Sequence, residues 1–274
     1  MKLSSIEEQV KGILAQPHAF VLAPGIRLIF MQQLEYGFNE YDEEIKPKED
    51  LVILTEIDHE IDEKFNDRRT VALAKMLMYC KQFAELDFTD KLLLYKHLKD
   101  VFWDIERFYR SALLARNQSL FLLYDNRAVN LALDEPTFIK NSDKESFAKT
   151  LPLLYPVRDK MVNLLLNPIK SLNLSQTELV YLCAIILWTT IDINDISPNA
   201  QRVAEEVSEQ ILNGLHNYYV YEKHLVNYAP RLVKLLKLID ASKVVKSAFT
   251  DAALLSQVYN IYDFNVNLSE LVNT

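Results

Sequence analysis

Arginine and aspartate side chains are concentrated around two large aromatic residues in the stretch FAELDFTDKLLLYKHLKDVFWDIERFYRS, residues 83–111. The charged residues are Asp100, Asp104, Arg107 and Arg110, and the aromatic residues are Phe102 and Trp103. A guanidinium group presents a fork of N–H donors that binds both oxygens of a carboxylate, so these arginines are suited to holding an anionic group. In a second interpretation, the charged side faces solvent and Glu106 pairs with Arg110 at i,i+4. The stretch alone leaves both interpretations open.

Residues typical of catalysis or metal binding are scattered along the rest of the chain. It contains no HExxH, G-x-S-x-G or phosphate-loop motif and no glycine-rich dinucleotide turn. The histidines, which lack the spacing of metal ligands, are His18, His59, His97, His216 and His224. We therefore predict no catalytic residue, no metal and no cofactor, with an enzyme that uses the Asp/Arg cluster as an alternative.

The net charge of the chain argues against direct contact with nucleic acid. The 274 residues carry a formal net charge of −8 at pH 7, and the sequence pI is about 5.3. Binding to a phosphate backbone requires clustered lysine and arginine residues that neutralise it. We predict that this chain does not bind DNA by itself.

The cysteines and the apolar runs indicate a protein that works inside the cell. Cys80 and Cys183 lie far apart in apolar segments, which is typical of reduced, buried thiols in a cytosolic or nuclear protein. The longest apolar run, residues 179–188, is too short to span a bilayer. The N-terminal residues lack the basic and apolar pattern of a secretory signal. We expect no membrane contact.

A long helix is expected to carry the charged stretch. Thr89 and Asp90 are typical of its N-terminus, and the apolar periodicity continues to about Ala115. After it, NQSLFLLYDN (residues 117–126) has the short apolar run and the flanking turn residues of a small β-hairpin. Further helices are expected at residues 150–170, 175–191, 199–220 and 229–260. The predicted fold class is all-α with one small β-hairpin.

The helices predicted before the long helix are short and are interrupted by prolines and polar residues. Two short helices, interrupted at Pro17 and Pro24, precede an acidic loop or hinge at residues 39–50. Two amphipathic segments follow, with a polar gap at residues 66–69 between them.

Two of the later helices have recognisable N-termini. Ser175 and Glu178 form an S-x-x-E capping box, and Ser197–Pro198 places a proline in the first turn of the next helix. These signals fix where the two helices begin.

Four segments, in the same order along the chain, resemble the ligand-binding domain of nuclear hormone receptors. They are FAELDFTDKLLLYKHLKDVFW, LSQTELVYLCAIILW, YAPRLVKLLKLI and NVNLSELV, at residues 83–103, 174–188, 228–239 and 265–272. FWDIERFYRS is similar to the version in the expanded nematode receptors, which resemble the hepatocyte-nuclear-factor-4 group. The resemblance implies a three-layer helical sandwich at residues 51–274, preceded by N-terminal helices and an acidic hinge at residues 1–50.

The resemblance also implies that the charged side of the long helix faces a ligand cavity. Arg110 matches the arginine that holds a ligand carboxylate or hydroxyl in many relatives. The other ligand-binding residues that it implies are Arg107, Trp103, Arg69, Leu120 and Phe121.

This chain departs from the family at positions that are usually apolar in the cavity, which here hold Asp100, Asp104 and Arg107. We expect these groups to pair with one another, because burying an unpaired charge costs several kcal/mol. The cavity then either binds a small polar or anionic lipophilic ligand or is filled by this polar network. An apolar fatty-acid pocket is a third interpretation.

Relatives in this family bind the LxxLL helices of coregulators in a groove that a C-terminal activation helix completes. The groove residues that the match implies are Lys75, Met78, Lys96, Leu268, Glu270 and Leu271. Met78 stands where the main basic residue is usual, so we expect Lys75 or Lys81 to substitute for it. Asn267 stands at the first hydrophobic position of the activation helix. The groove is therefore expected to keep only part of its charged clamp.

Glu178 and Arg231 match a salt bridge that the family uses structurally. The resemblance further implies a homodimer or heterodimer through the helix at residues 229–260. It also implies transcriptional regulation in the nucleus, with the cytoplasm as a further location. The alternative is a ligand-independent dimerisation and interaction module from a receptor-like protein that lacks a DNA-binding domain.

Overall fold

A computed structural model describes residues 3–20, 26–132 and 137–262 of the chain. The α-helices are α1 (Leu3–Leu14), α2 (Phe30–Ile45), α3 (His59–Met78), α4 (Lys81–Ala84), α5 (Phe88–Leu114), α6 (Lys144–Ala148), α7 (Leu151–Lys160), α8 (Asn167–Leu172), α9 (Gln176–Trp188), α10 (Pro198–Asn217) and α11 (Ala229–Val258). The strands are β1 (Val52–Ile53), β2 (Glu56–Ile57), β3 (Leu120–Tyr124), β4 (Arg127–Asn130) and β5 (Phe138–Ile139). π-helical turns follow α7 at Met161–Leu166 and α10 at Tyr218–Glu222. The predicted all-α class with a small β-hairpin is confirmed.

The predicted hairpin consists of β3 and β4, which pair antiparallel. Its turn contains Asp125 with a left-handed φ of 46°, a conformation that aspartate tolerates better than most residues. Three further strands extend the β structure: β1 pairs in parallel with β4, and β2 pairs in parallel with β5. The sequence predicts only the hairpin, because two-residue strands have too few side chains to show an alternating pattern.

The start of α5 also fixes the start of α10. Asp90, in the first turn of α5, is buried and accepts hydrogen bonds from Ser197 N at 3.0 Å and Ser197 Oγ at 2.6 Å. Ser197 Oγ in turn accepts from Ala200 N at 3.1 Å and caps α10. The predicted long helix and the predicted Ser197–Pro198 helix start are both confirmed.

Two predictions in the first part of the chain are wrong. The acidic stretch at residues 39–50 is not all loop, because α2 continues to Ile45. Phe38, Tyr41 and Ile45 extend its buried stripe, and the acidic side chains lie on its other side. The polar gap at residues 66–69 is also absent, because α3 is continuous from His59 to Met78. Arg69 is 1% exposed and holds an inward position of the helix that an apolar residue would normally fill.

One compact unit comprises Met1–Pro47, Lys64–Asp104 and Leu174–Leu236. In this unit α2 packs against α4, α9 and α10. The inward stripe of α2 includes Phe30, Leu34, Phe38, Tyr41 and Ile45, all at most 2% exposed. α9 is apolar around its whole circumference and is buried along nearly its whole length, as expected of a core helix.

A second compact unit comprises Lys48–Glu63, Ile105–Asn173 and Lys237–Thr274. Ala115, Leu120 and Ala128 form one of its apolar clusters, against which Leu51 packs. Another cluster joins α7 to α11 through Val157, Ala248 and Ala252. The hairpin and the second half of α5 therefore belong to the same unit.

The close approach of α2 to α3 leads to a stability prediction. A Cβ added at Gly37 would lie 2.6 Å from Met76 O, a backbone atom that cannot move independently. We expect Gly37→Ala to lower the free energy of unfolding by about 1–3 kcal/mol, because it overpacks the helix contact. Urea denaturation measures this change.

Gly12→Ala is the matched control. No atom lies within 4 Å of a Cβ at Gly12, so alanine should leave stability unchanged or raise it by up to about 1 kcal/mol through helix propensity. Equal stability of Gly37→Ala and the unsubstituted protein would contradict the close packing of α2 on α3.

Candidate functional site

The central part of α5 consists of buried and half-buried residues. No residue from 97 to 112 is exposed, although this segment holds the charged residues that the sequence singled out. The exposed fraction is 1% for Glu106 and 7% for Arg110. The interpretation in which Glu106 and Arg110 face solvent is therefore wrong.

Arg110 and Glu106 form a buried ion pair one turn apart on α5. Arg110 Nε donates a hydrogen bond to Glu106 Oε1. A buried pair of this kind mainly offsets its own desolvation cost, so removing one partner destabilises the fold more than the pair stabilises it. The spacing of the pair is visible in the sequence. Its burial is not, because it depends on the apolar neighbours that surround α5.

Arg107 lies against the β-hairpin. Its guanidinium carbon is 5.7 Å from the centroid of the Phe121 ring, within the range of a cation–π interaction. Phe121 also contacts Phe108, with 4.7 Å between the ring centroids. Ser111 Oγ donates to Arg107 O at 2.8 Å and accepts from Leu122 N at 2.9 Å. These contacts attach β3 to α5 at the predicted ligand residues.

Leu120 is the second predicted ligand residue from the hairpin. It is 3% exposed and packs with Ala115 and Ala128 in the apolar cluster at the base of the hairpin. In this unit the structure therefore brings Arg107 and Phe121 into contact, and Leu120 lies in the adjoining core.

Arg69 and Trp103 form a separate contact in the other unit. Arg69 Nη2 donates to Trp103 O at 3.3 Å, and the Arg69 guanidinium lies 4.6 Å from the Trp103 ring centroid. Lys99 Nζ is 5.2 Å from the same ring. The Trp103 Nε1–H donor is buried and has no acceptor among the described residues. The sequence predicted both residues as ligand contacts but did not predict that they would stack on each other.

The predicted groove residues have varied partners. Lys75 Nζ lies 3.6 Å from Glu44 Oε2 of α2, and Lys81 Nζ lies 3.6 Å from Glu85 Oε1. Met78 is half-buried and Lys96 is exposed. Leu268, Glu270 and Leu271 lie outside the described residues, as does the predicted helix break at Pro24.

The Glu178 carboxylate is the centre of a buried network. It accepts hydrogen bonds from Arg231 Nε at 2.5 Å and Arg231 Nη2 at 2.8 Å. Tyr219 Oη donates to it at 2.7 Å, and Ser175 N at 3.0 Å. Ser175 and Glu178 also form the predicted capping box, which is confirmed. The sequence did not predict the role of Tyr219, because its position depends on the π-helical turn after α10.

These donors change the acidity of Glu178. Burial alone would raise its pKa, but the hydrogen bonds from Arg231, Ser175 and Tyr219 together lower the pKa below the ordinary value of 4.5. The burial of Tyr219 and its bond to Glu178 raise the pKa of the tyrosine. The network therefore favours an ionised Glu178 beside a protonated Tyr219.

Other chemical features are few in the part of the chain that the structure covers. Cys80 and Cys183 are both free and buried, and burial raises the pKa of each thiol. No cluster of three or more His, Cys, Asp or Glu side chains suited to a metal ion occurs among the described residues. None of the described helices is both long enough and apolar enough to cross a membrane.

The Glu178 network yields a pH-dependent prediction. We expect Glu178→Gln to lower the free energy of unfolding at neutral pH by about 3 kcal/mol, because Arg231 loses its carboxylate partner. Because the folded pKa of Glu178 is depressed, its contribution is present above pH 4.5 and is lost as the pH falls further. Thermal unfolding across this pH range measures both effects.

Glu206→Gln is the matched control, since Glu206 forms an exposed ion pair with Arg202 and exposed pairs contribute little. A Glu178→Gln variant that is as stable at neutral pH as Glu206→Gln would contradict the structural role of the network.

Comparison with known proteins gives consistent results. The family described as the ligand-binding domain of nuclear hormone receptors matches residues 47–258. The nuclear hormone receptor family member nhr-213 of Caenorhabditis elegans is 23% identical over 278 residues, which cover 98% of this chain and 65% of the relative. The family member nhr-59 of the same organism is 23% identical over 282 residues, covering 98% and 66%.

A third relative, the C. elegans family member nhr-127, is 24% identical over 200 residues, covering 70% of this chain and 55% of the relative. The chain thus spans about two thirds or less of the length of these relatives. The expected similarity to nematode receptors is confirmed. The family match extends over most of the chain, which therefore belongs to the ligand-binding domains of nuclear hormone receptors.

Proposed function

We propose that this chain is the ligand-binding and regulatory domain of a nuclear receptor that controls transcription. In this proposal, residues 51–274 form the domain and its ligand or partner changes the docking of the activation helix at Leu268–Val272. The observation that carries the proposal is the charged segment of α5 at residues 97–112, in which no residue is exposed and Glu106 and Arg110 are buried. Burying a charge costs free energy, and a site that holds a polar ligand gives a core helix a reason to carry one.

The proposed ligand is a small polar or anionic lipophilic molecule. Arg107 supports this assignment because its cation lies over the Phe121 ring, beside the largely apolar hairpin. Arg110 is proposed as a second contact, together with Leu120. Since Arg110 already pairs with Glu106, it would contribute a donor to the ligand rather than an uncompensated positive charge.

In the other unit, Arg69 and Trp103 are proposed separately as contacts for a polar ligand group. The Trp103 Nε1–H is buried without an acceptor among the described residues, so a ligand oxygen would satisfy it. The guanidinium of Arg69 stacks on the same indole and adds positive charge beside that donor. Both features favour an oxygen-rich or anionic group over a purely apolar one.

Regulation would follow from a shift in population. A ligand that binds more tightly when the activation helix is docked raises the fraction of molecules with a complete coregulator groove. An LxxLL helix would then be held at one end by Glu270 and at the other by Lys96 and Lys75. Because Lys75 also pairs with Glu44 and Met78 replaces the usual basic residue, we propose that the basic end of this clamp is weak.

The remaining features of the proposal follow from charge and family. We propose that the chain is a regulator rather than an enzyme and that it acts in the nucleus. With a net charge of −8, it would not contact DNA itself.

A matched pair of probes tests the ligand chemistry: dodecanoate and dodecanol, which share an alkyl chain and differ in the carboxylate. We expect the unsubstituted protein to bind the acid more tightly than the alcohol, because arginine donors hold a carboxylate bidentately. Arg107→Met should weaken this preference, because it removes one of the proposed donors, while leaving alcohol binding unchanged. Native mass spectrometry with titration measures both affinities.

The role of Arg110 needs a double substitution. Arg110→Met alone should destabilise the fold by about 3–5 kcal/mol, since the buried Glu106 carboxylate loses the ion pair with Arg110. Glu106→Gln with Arg110→Met should restore most of this loss. A double variant that prefers the acid as strongly as the unsubstituted protein does would contradict a contact between Arg110 and the ligand. Equal binding of acid and alcohol by the unsubstituted protein would contradict the anionic-ligand proposal and favour an apolar pocket.

A second candidate function is a ligand-independent dimerisation module. The observation that favours it is the row of exposed apolar side chains on one side of α11, which are Val233, Leu236, Val244, Leu255 and Val258. Scattered exposed apolar residues are ordinary, but a row along one helix is typical of a protein contact. The same helix was expected to form a homodimer or heterodimer.

Sedimentation velocity tests this candidate. Val244 is 44% exposed, and we expect Val244→Asp to shift a dimer to monomer because it places a charge in the apolar row. Gln201→Asp, at an exposed position of α10, is the control and should leave the association unchanged. A concentration-independent monomer before any substitution would contradict homodimerisation through α11.

A further inference from the structure

The first helix of the chain has an apolar face that is covered. Ile6, Val10, Ile13 and Leu14 lie on one side of α1, where Val10 is 3% exposed and Leu14 is 0% exposed. Glu8, Gln9 and Gly12 lie on the other side and are exposed. Val10, Ile13 and Leu14 follow the spacing i, i+3, i+4, which is also the spacing of the leucines in an LxxLL motif. α1 therefore has the form of a helix that binds in an apolar groove.

The residues after α1 lie on the C-terminal end of α3. His18 Nδ1 is 3.4 Å from Met78 O, a carbonyl at the end of α3 that has no partner within the helix. Phe20 contacts the rings of Tyr36 and Tyr79, with centroid distances of 4.8 Å and 4.9 Å. The chain thus covers the helix end where Met78 replaces the basic residue of the proposed coregulator clamp.

Charge links α1 to the first half of α5. The hydrogen bond and the charge of Lys11 are the main causes that lower the pKa of Glu7, and the charges of Lys96 and Lys99 lower it further. Glu7 therefore lies close enough to these two lysines for their fields to reach it. Lys96 is the second basic residue of the proposed clamp.

We propose that residues 3–20 occupy the coregulator-binding surface of this chain, so that an external LxxLL helix binds only after this segment has left. This inference rests on the proposed function, which assigns Met78 and Lys96 to that surface. It adds an internal occupant that the proposed function does not require. In this proposal, α1 is the amphipathic helix on the coregulator-binding surface. The residues that follow α1 lie across the end of α3.

Residues 3–20 are part of the same chain as the surface they occupy, which helps them to compete with an external helix. A tethered segment acts at a high effective concentration, so even weak contacts can keep an external helix out. The apparent affinity for that helix then falls in proportion to the fraction of molecules in which the surface is free. If a tenth of the molecules are open, the apparent affinity is reduced about tenfold.

Substitutions on α1 of the full chain test this proposal. Val10→Asp places a carboxylate on the covered face and should release the segment, whereas Gln9→Asp places the same group on the exposed face and is the control. We expect Val10→Asp to bind a fluorescein-labelled synthetic LxxLL peptide about tenfold more tightly than the unsubstituted protein does. Gln9→Asp should bind it as the unsubstituted protein does. Fluorescence anisotropy measures these affinities.

Phe20→Ala provides a second route to release, because it removes one ring of the Tyr36 and Tyr79 cluster without altering α1. It should also tighten peptide binding relative to the unsubstituted protein. A second probe, a labelled synthetic peptide of residues 3–20, should bind Val10→Asp and should not bind the unsubstituted protein. This probe tests the occupancy without any coregulator motif.

The two probes separate the inference from the proposed function. If the LxxLL peptide binds the unsubstituted protein as tightly as Val10→Asp, the inference is overturned and the coregulator function remains. If Val10→Asp binds the peptide of residues 3–20 but not the LxxLL peptide, the occupancy is supported and the coregulator function fails. If Val10→Asp binds neither peptide, the inference is overturned.

Discussion

The burial of α5 is the constraint on which the rest of the structure depends. No residue from 97 to 112 is exposed, and the charges of Glu106 and Arg110, which are buried, must be compensated inside the protein. Glu106 compensates Arg110 within one turn, and the Phe121 ring lies against Arg107. Because these partners come from α5 itself and from the adjoining hairpin, the helix and the hairpin position the same groups that the proposed ligand would contact.

The Glu178 network follows the same rule in the other unit. A buried carboxylate is stable as an anion only when donors replace the water it has lost, and Arg231, Tyr219 and Ser175 supply these donors. The donors belong to the start of α9, the π-helical turn after α10 and the first turn of α11. A single acidic side chain therefore fixes three elements relative to one another, whereas the proposed ligand chemistry is confined to α5 and its neighbours.

Features with a local signal could be predicted from the sequence. The capping box at Ser175, the hairpin and the long helix each depend on residues that are close together in the chain. The predictions are wrong where contacts with residues distant in the chain decide the secondary structure. The first part of the acidic stretch is helical because Phe38 and Tyr41 are buried, and α3 continues through the polar residues 66–69 because Arg69 is buried against Trp103. Periodicity leaves open which side of α5 is interior, and the expectation that its charged side faces a cavity depends on the family resemblance.

The most direct test of the buried-charge account is the exchange of the Arg110 Nε–H proton with water, measured by NMR and assigned with an Arg110→Lys variant. A buried Nε–H that donates to Glu106 is shielded from water and base. We predict that the Arg110 Nε–H resonance persists at mildly alkaline pH, where the signal of the exposed Arg202 has broadened by exchange. An Arg110 signal that exchanges as fast as that of Arg202 would contradict the account.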